Sequence, residues 1–216
     1  MYMLDLVHVL LDYKELIMNN PNMILVYILF SYLLGSISGS LLLGKVWNVD
    51  IRDMGSGNAG GTNALRSVGI IFAILTFAID LLKGALPAYL SQHNQELMLL
   101  SGFSAMIGHV YPIFYNFIGG KGAGTLLGVL IIANPQSAIF IVSIWIIMVL
   151  ITGFVGLSTI IACAVLFLYS LYYDISFIIF SMASFIFIVF THRSNIKRML
   201  SGEENQFKKV MIFKRK

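Results

Sequence analysis

Seven apolar segments, at residues 23–46, 68–90, 97–111, 125–133, 137–151, 155–172 and 175–191, run the length of the chain and decide what it can fold into. None alternates with period two, which argues against a lipid-facing β-barrel. Helices remain as the structure that satisfies every backbone N–H and C=O in hydrocarbon. A span needs about 20 mostly apolar residues, and the third and fourth segments fall short of that. Of 216 residues, 58% are hydrophobic and 11% charged, against about 25% charged in a soluble domain. Such a chain has no water-compatible exterior. The expectation is an all-α integral membrane protein, a seven-transmembrane-helix bundle over residues 21–205, with a basic cytoplasmic tail at 206–216. Residues 1–20 lack the basic start of a secretory signal, and Asp5, Asp12 and Glu15 interrupt their apolar stretch. Leu4, Val7, Leu11 and Met18 recur near helical spacing, so this segment reads as an interfacial helix or a disordered leader.

The cations orient the bundle. With a cytoplasmic C-terminus, Lys45, Arg52, Arg66, Lys121 and the eight cations of the tail (Arg193, Lys197, Arg198, Lys208, Lys209, Lys214, Arg215 and Lys216) all fall inside. Lys14 alone falls outside, Lys83 lies within a span, and the turns at His93, Pro135 and Asp174 carry neither Lys nor Arg. That asymmetry is the positive-inside pattern of a multi-pass cell-membrane protein. It also explains the net charge of +4 without a nucleic-acid partner. The lone Cys163 excludes a disulfide framework. The cytoplasmic loops lack clustered carboxylates, so neither a metal nor another cofactor is expected.

Polar residues gather in three clusters, all on the face expected to be cytoplasmic. The first, GSGNAGGTNALR at residues 55–66, combines glycines with Ser56, Asn58, Thr62, Asn63 and Arg66. Glycine backbone exposes N–H donors, and an arginine fork matches a phosphate, so the chemistry suggested is oxyanion binding. The plain alternative is a hinge between helices. Gly55, Gly57 and Gly60 match a dinucleotide fingerprint in letters only, because a membrane helix and not a strand precedes them. In the second cluster, GHVYPIFYNFIGGKGAGT at residues 108–125, Lys121 stands among four glycines. It resembles a P-loop but has Gly122 where Ser or Thr is required. Lys121 reads as a point charge for a phosphate, or as a snorkelling lysine at a helix end. His109 reads as a packed polar residue. In the third, HRSNIKRMLSGEE at residues 192–204, a continuing helix would put His192, Asn195 and Met199 on one face. Asp80 and Lys83, three apart inside the second span, are either functional or a structural ion pair.

These segments, in order and at similar spacing from about Tyr32 to Asn205, resemble the bacterial membrane acyltransferases of the PlsY type. The resemblance implies transfer of a fatty acyl group from acyl phosphate to the sn-1 hydroxyl of glycerol 3-phosphate. The product would be lysophosphatidic acid for phospholipid biosynthesis. By the same resemblance, His192, Asn195, Lys121 and Ser56 are the candidate catalytic residues, and Asn58, Thr62, Asn63, Arg66 and Lys121 the candidate substrate-binding ones. Arg66 and Lys121 would supply charge to the phosphates, and His192 with Asn195 would guide the attacking hydroxyl. Either His192 or a substrate phosphate takes its proton. Acyl phosphate is a mixed anhydride with a good leaving group, so the protein needs chiefly to position two phosphates and stabilise an oxyanion. Departures from the family pattern are Ser38 for a frequent proline, Gly61 for alanine, and Ala123 and Gly124 for valine and alanine. Gly156 stands where a serine is expected, with Ser158 or Thr159 as substitutes. A transporter for a small phosphorylated anion is the rival reading, since glycine-broken segments and intramembrane charges suit one.

Overall fold

The computed structural model describes residues 20–208, 211 and 212. Apart from Asn20, the expected N-terminal segment lies outside the described residues, as do residues 209, 210 and 213–216 of the tail. The helices are α1 (Pro21–Gly35), α2 (Gly39–Trp47), α3 (Gly61–Ser67), α4 (Ile70–Leu90), α5 (Gln95–Val110), α6 (Ala123–Ala133), α7 (Pro135–Thr152), α8 (Val155–Tyr173), α9 (Ile178–Thr191) and α10 (Arg193–Leu200). Short 3-10 turns sit at Ile51–Asp53, Ile113–Tyr115 and Ile175–Phe177.

Local chemistry sets the helix starts. Asn20 and Asn134 cap α1 and α7 by accepting from the backbone N–H of Asn22 and Ser137, with Pro21 and Pro135 next in the chain. Asn94 caps α5 in the same way. Each asparagine oxygen satisfies an orphan N–H, and proline is already pre-set to helical φ. Helix α4 packs on α6 and α5, α1 on α5, and α8 on both α7 and α9. Gly84 and Gly128 make the α4–α6 contact, since a methyl on either would collide with the backbone carbonyl of Thr125 or of Leu81. Small residues of this kind let membrane helices approach closely where no hydrophobic effect drives them together. Met106, Leu126, Leu130, Leu166, Phe177 and Ile188 fill the core. Leu25, Ile70, Ile139 and Ile179 are more than half exposed, as side chains facing lipid would be.

All seven apolar segments become helical, so the all-α integral membrane class stands. Five helical stretches are long and apolar enough to cross a bilayer, and α9 with α10 makes a sixth, bent by 53°. Helix α6, with 11 residues, reaches only about 17 Å. The first span is not the continuous helix expected. It breaks at residues 36–38, between α1 and α2, and the reason lies in α4. Asp80 and Lys83 pair at 3.0 Å. Lys83 Nζ donates to the freed carbonyl of Ile37 at 2.9 Å, and Asp80 accepts from the freed N–H of Gly39 at 3.3 Å. Backbone groups released inside a membrane must be satisfied by neighbours, and here a buried ion pair does so. His109 Nδ1 lies 3.5 Å from the same Asp80 oxygen. Of the two alternatives open for Asp80 and Lys83, these bonds support the structural pair, and His109 is buried and packed as expected.

Candidate active site

The second cluster is shaped from beneath by His109. The N–H of Gly120 donates to the His109 carbonyl at 3.1 Å, and that of Gly119 to the Val110 carbonyl at 3.2 Å. A methyl on Gly120 would overlap the His109 imidazole, so only glycine lets the loop lie this close. Gly122, at φ +91°, then turns the chain into α6. From the other side Thr191 Oγ1 donates to the Lys121 carbonyl at 3.0 Å. The backbone of Lys121 is therefore clamped between the ends of α5 and α9.

The lysine side chain turns inward and does not snorkel. Its Nζ donates to Asn195 Oδ1 of the third cluster. Asn195 Nδ2 donates to Glu204 Oε1 at 2.7 Å, and Arg198 Nε donates to Glu204 Oε2 at 2.6 Å. Burial, helped by Arg198 and Arg193 and opposed by Glu204, pushes the Lys121 ammonium down to about 8. Glu204, whose side chain is only 4% exposed, is a site residue that sequence reasoning passed over. Its one signal is a carboxylate inside an otherwise basic segment.

His192 does not continue α9. It forms the corner before α10, so the expected single face shared by His192, Asn195 and Met199 on one straight helix is not what forms. The last turn of α9 holds the imidazole instead: His192 Nδ1 lies 2.8 Å from the Ile188 carbonyl. A carbonyl only accepts, so Nδ1 carries the proton and Nε2 keeps its lone pair. Burial and the neighbouring Lys121 charge push His192 down to about 4. The ring is neutral near pH 7.

In the first cluster the residues divide. Asn63 is buried and spent on structure: its Oδ1 accepts from the Ser56 N–H at 2.9 Å, and its Nδ2 donates to the carbonyls of Ile51 and Met54. It shapes the loop that presents Ser56 and has no donor left for a ligand. The side chains of Ser56, Asn58 and Thr62 are partly exposed and, among the described residues, free of hydrogen bonds. The starts of α3 and α6 meet on either side of Phe77. A methyl on Gly61 would stand 3.8 Å from its Cβ, and one on Gly124 3.6 Å from its ring. These are ordinary contacts, so the two alanine-to-glycine departures cost the site nothing. Arg66, on α3, donates to the Asn205 carbonyl at 3.2 Å and lies within the field of Glu204 and Arg198.

Gly156 faces the site. A methyl there would stand 2.9 Å from the Asn195 amide, so Asn195 itself lies against the helix at the position where the resemblance leads one to expect a serine. Neither proposed substitute serves. Ser158 Oγ donates to the Phe154 carbonyl at 2.8 Å, and Thr159 Oγ1 donates to the Val155 carbonyl while accepting from Trp145 Nε1. A recess of about 350 Å³ between α2 and Tyr115 is lined by Lys45, Asn48, Asp50 and Arg52, and holds none of the eight candidate residues.

Fold and site together define an integral membrane helix bundle in which Arg66, Lys121 and Asn195, from three chain segments, are drawn together around Glu204. The family model for glycerol-3-phosphate acyltransferase matches residues 25–202, and the chain belongs to that family. The glycerol-3-phosphate acyltransferase of Alkaliphilus metalliredigens is 39% identical over 84% of this chain and 95% of its own. That of Aquifex aeolicus is 36% identical over 83% and 97%. The chain is also similar to crystal structures of PlsY, an integral membrane glycerol 3-phosphate acyltransferase. Its glycerol 3-phosphate form gives a TM-score of 0.81 at 35% identity, covering 85% of this chain and 95% of that one. Its lysophosphatidic acid form gives 0.79 at 34%.

Proposed function

We propose that this protein acylates the sn-1 hydroxyl of glycerol 3-phosphate with acyl phosphate as donor, at a site opening to the cytoplasm of a bacterial cell membrane. Family membership supports the acceptor and the product class, and removes the grounds for the transporter reading. The observation that carries the site is the bond between Lys121 and Asn195, which joins two clusters 74 residues apart. Arg66 is brought in through the segment after Glu204. The cation distribution along the chain supports the orientation with seven crossings.

In the reaction the sn-1 oxygen attacks the acyl carbonyl carbon, the C–O bond to phosphate breaks, and inorganic phosphate leaves. The hydroxyl proton passes to His192 Nε2, which is unprotonated because Nδ1–H is committed to Ile188. Lys121 and Arg66 carry the phosphate charges, Asn195 directs the acceptor, and the free groups of Ser56, Asn58 and Thr62 orient the headgroups. The acyl chain lies among the apolar helices. The test is acyl transfer by the purified protein with acyl phosphate or acyl-CoA as donor. Lysophosphatidic acid should form with acyl phosphate alone; equal turnover with acyl-CoA, or none with acyl phosphate, overturns the donor assignment.

A further inference from the structure

The family match ends at residue 202, but the chain does not leave the bundle there. Glu203 and Glu204 fold back through N–H bonds to the Arg198 carbonyl, and Glu204 reaches Asn195 and Arg198. The next residues cross the site. The Asn205 carbonyl accepts from Arg66, the Phe207 ring lies under its guanidinium at 4.4 Å, and Gln206 donates to the Thr152 carbonyl. The N–H of Phe207 donates to the Gly153 carbonyl at 2.9 Å, and that of Ile212 to the Leu150 carbonyl at 3.0 Å. Residues 204–207 thus form a strap tied at α10, at α3 and at the α7–α8 corner.

Arg66 is the strap's only contact with the first cluster among the described hydrogen bonds and ring contacts. The geometry decides what the grip does. A ring stacked on a guanidinium fixes its plane and leaves its edge free, and one donor to Asn205 leaves the others for a bidentate phosphate. An arginine half exposed to water and unheld would sample many rotamers, and ordering it would cost affinity. We propose that the strap sets the plane and reach of Arg66, making Phe207 a positioning residue for the phosphate of glycerol 3-phosphate. The inference rests on the acyltransferase reading above and adds to it a part that lies beyond the matched family region.

Two readouts separate the claims. In steady-state transfer, Phe207→Ala should raise the KM for glycerol 3-phosphate about two- to fivefold, the value of one exposed cation–π contact, with kcat unchanged. Phe207→Tyr should behave as the native protein. Phe207→Leu keeps the apolar volume without the ring; it should match Phe207→Ala, whereas a role in packing alone would leave it native. An unchanged KM in both Phe207→Ala and Phe207→Leu overturns the proposal, as does a loss in kcat that Phe207→Tyr fails to rescue. The second readout is the rate at which phenylglyoxal modifies Arg66, followed by mass spectrometry with and without inorganic phosphate. That rate should rise in Phe207→Ala and Phe207→Leu, and phosphate should protect those variants less. If the native protein transfers no acyl group, the functional reading falls, and this rate still decides the strap: no difference between native and variant overturns it.

Discussion

Two groups of charges lie within this molecule, and they are built on opposite plans. Inside the bundle, Asp80, Lys83 and His109 have side chains only 4% exposed, and each charge answers another charge or a backbone group freed by the break between α1 and α2. At the end of the bundle, Lys121, Arg66 and Arg198 all lie in the field of one carboxylate, Glu204, leaving an excess of positive charge. A closed group of that kind holds the fold, and an open group is short of an anion. Charge balance, more than burial alone, separates scaffold from site.

The sharpest way to break that contrast is to remove one member from each group. Lys121→Ala should cost roughly a thousandfold in acyl transfer, the loss expected when a preorganised charge donor is removed, with membrane insertion and thermal stability kept. Near-native turnover would take Lys121 out of the site. Asp80→Asn should do the reverse, leaving Lys83 buried and unpaired at a cost of about 3–5 kcal/mol. Its signature is a lower unfolding temperature in detergent, and a variant as stable as the native protein would show that the pair does not hold the break.

Much of this was legible in advance, and the division follows the reach of the forces. Length and unbroken apolarity are local properties, so every apolar run became helix. The break at residues 36–38 was hidden because its cause, Asp80 and Lys83, lies more than forty residues on. The corner at His192 was hidden because no proline or glycine marks it. Asn63 looked like a ligand because amide chemistry is the same whether it faces a phosphate or three backbone groups. Glu204 closes the third quoted segment but carried no periodic signal, and its contacts exist only once the chain after α10 folds back on Arg198.

The open group also titrates where the closed one is sealed. Transfer should fall as pH drops through about 4, when His192 takes a proton and loses its acceptor Nε2. It should also fall above about 8, when Lys121 loses the charge that holds phosphate. Two pH units beyond the upper limb the loss is about a hundredfold. A kcat/KM profile flat from pH 7 to 10 would mean that Lys121 is not the charge being titrated. Substituting Arg at 121, which holds its proton throughout, should remove the upper limb from whatever activity remains.

Gly156 gives the finest probe of how the open group is set. A methyl there would stand 2.9 Å from the Asn195 amide, too close for any real contact, and the amide is the movable partner. Shifting it loosens the bonds to Lys121 and Glu204 together, because one planar group makes both. A misplacement of about 1 Å costs on the order of a hundredfold, and the relaxation needed here is smaller, so Gly156→Ala should lower kcat roughly tenfold. Ser158→Ala, two residues on in α8 and bonded only to its own helix, should change nothing. If the two variants turn over alike, Asn195 tolerates displacement and its bond to Lys121 is not what orders the site. If only Gly156→Ala is slowed, the glycine at this position is there to seat the amide.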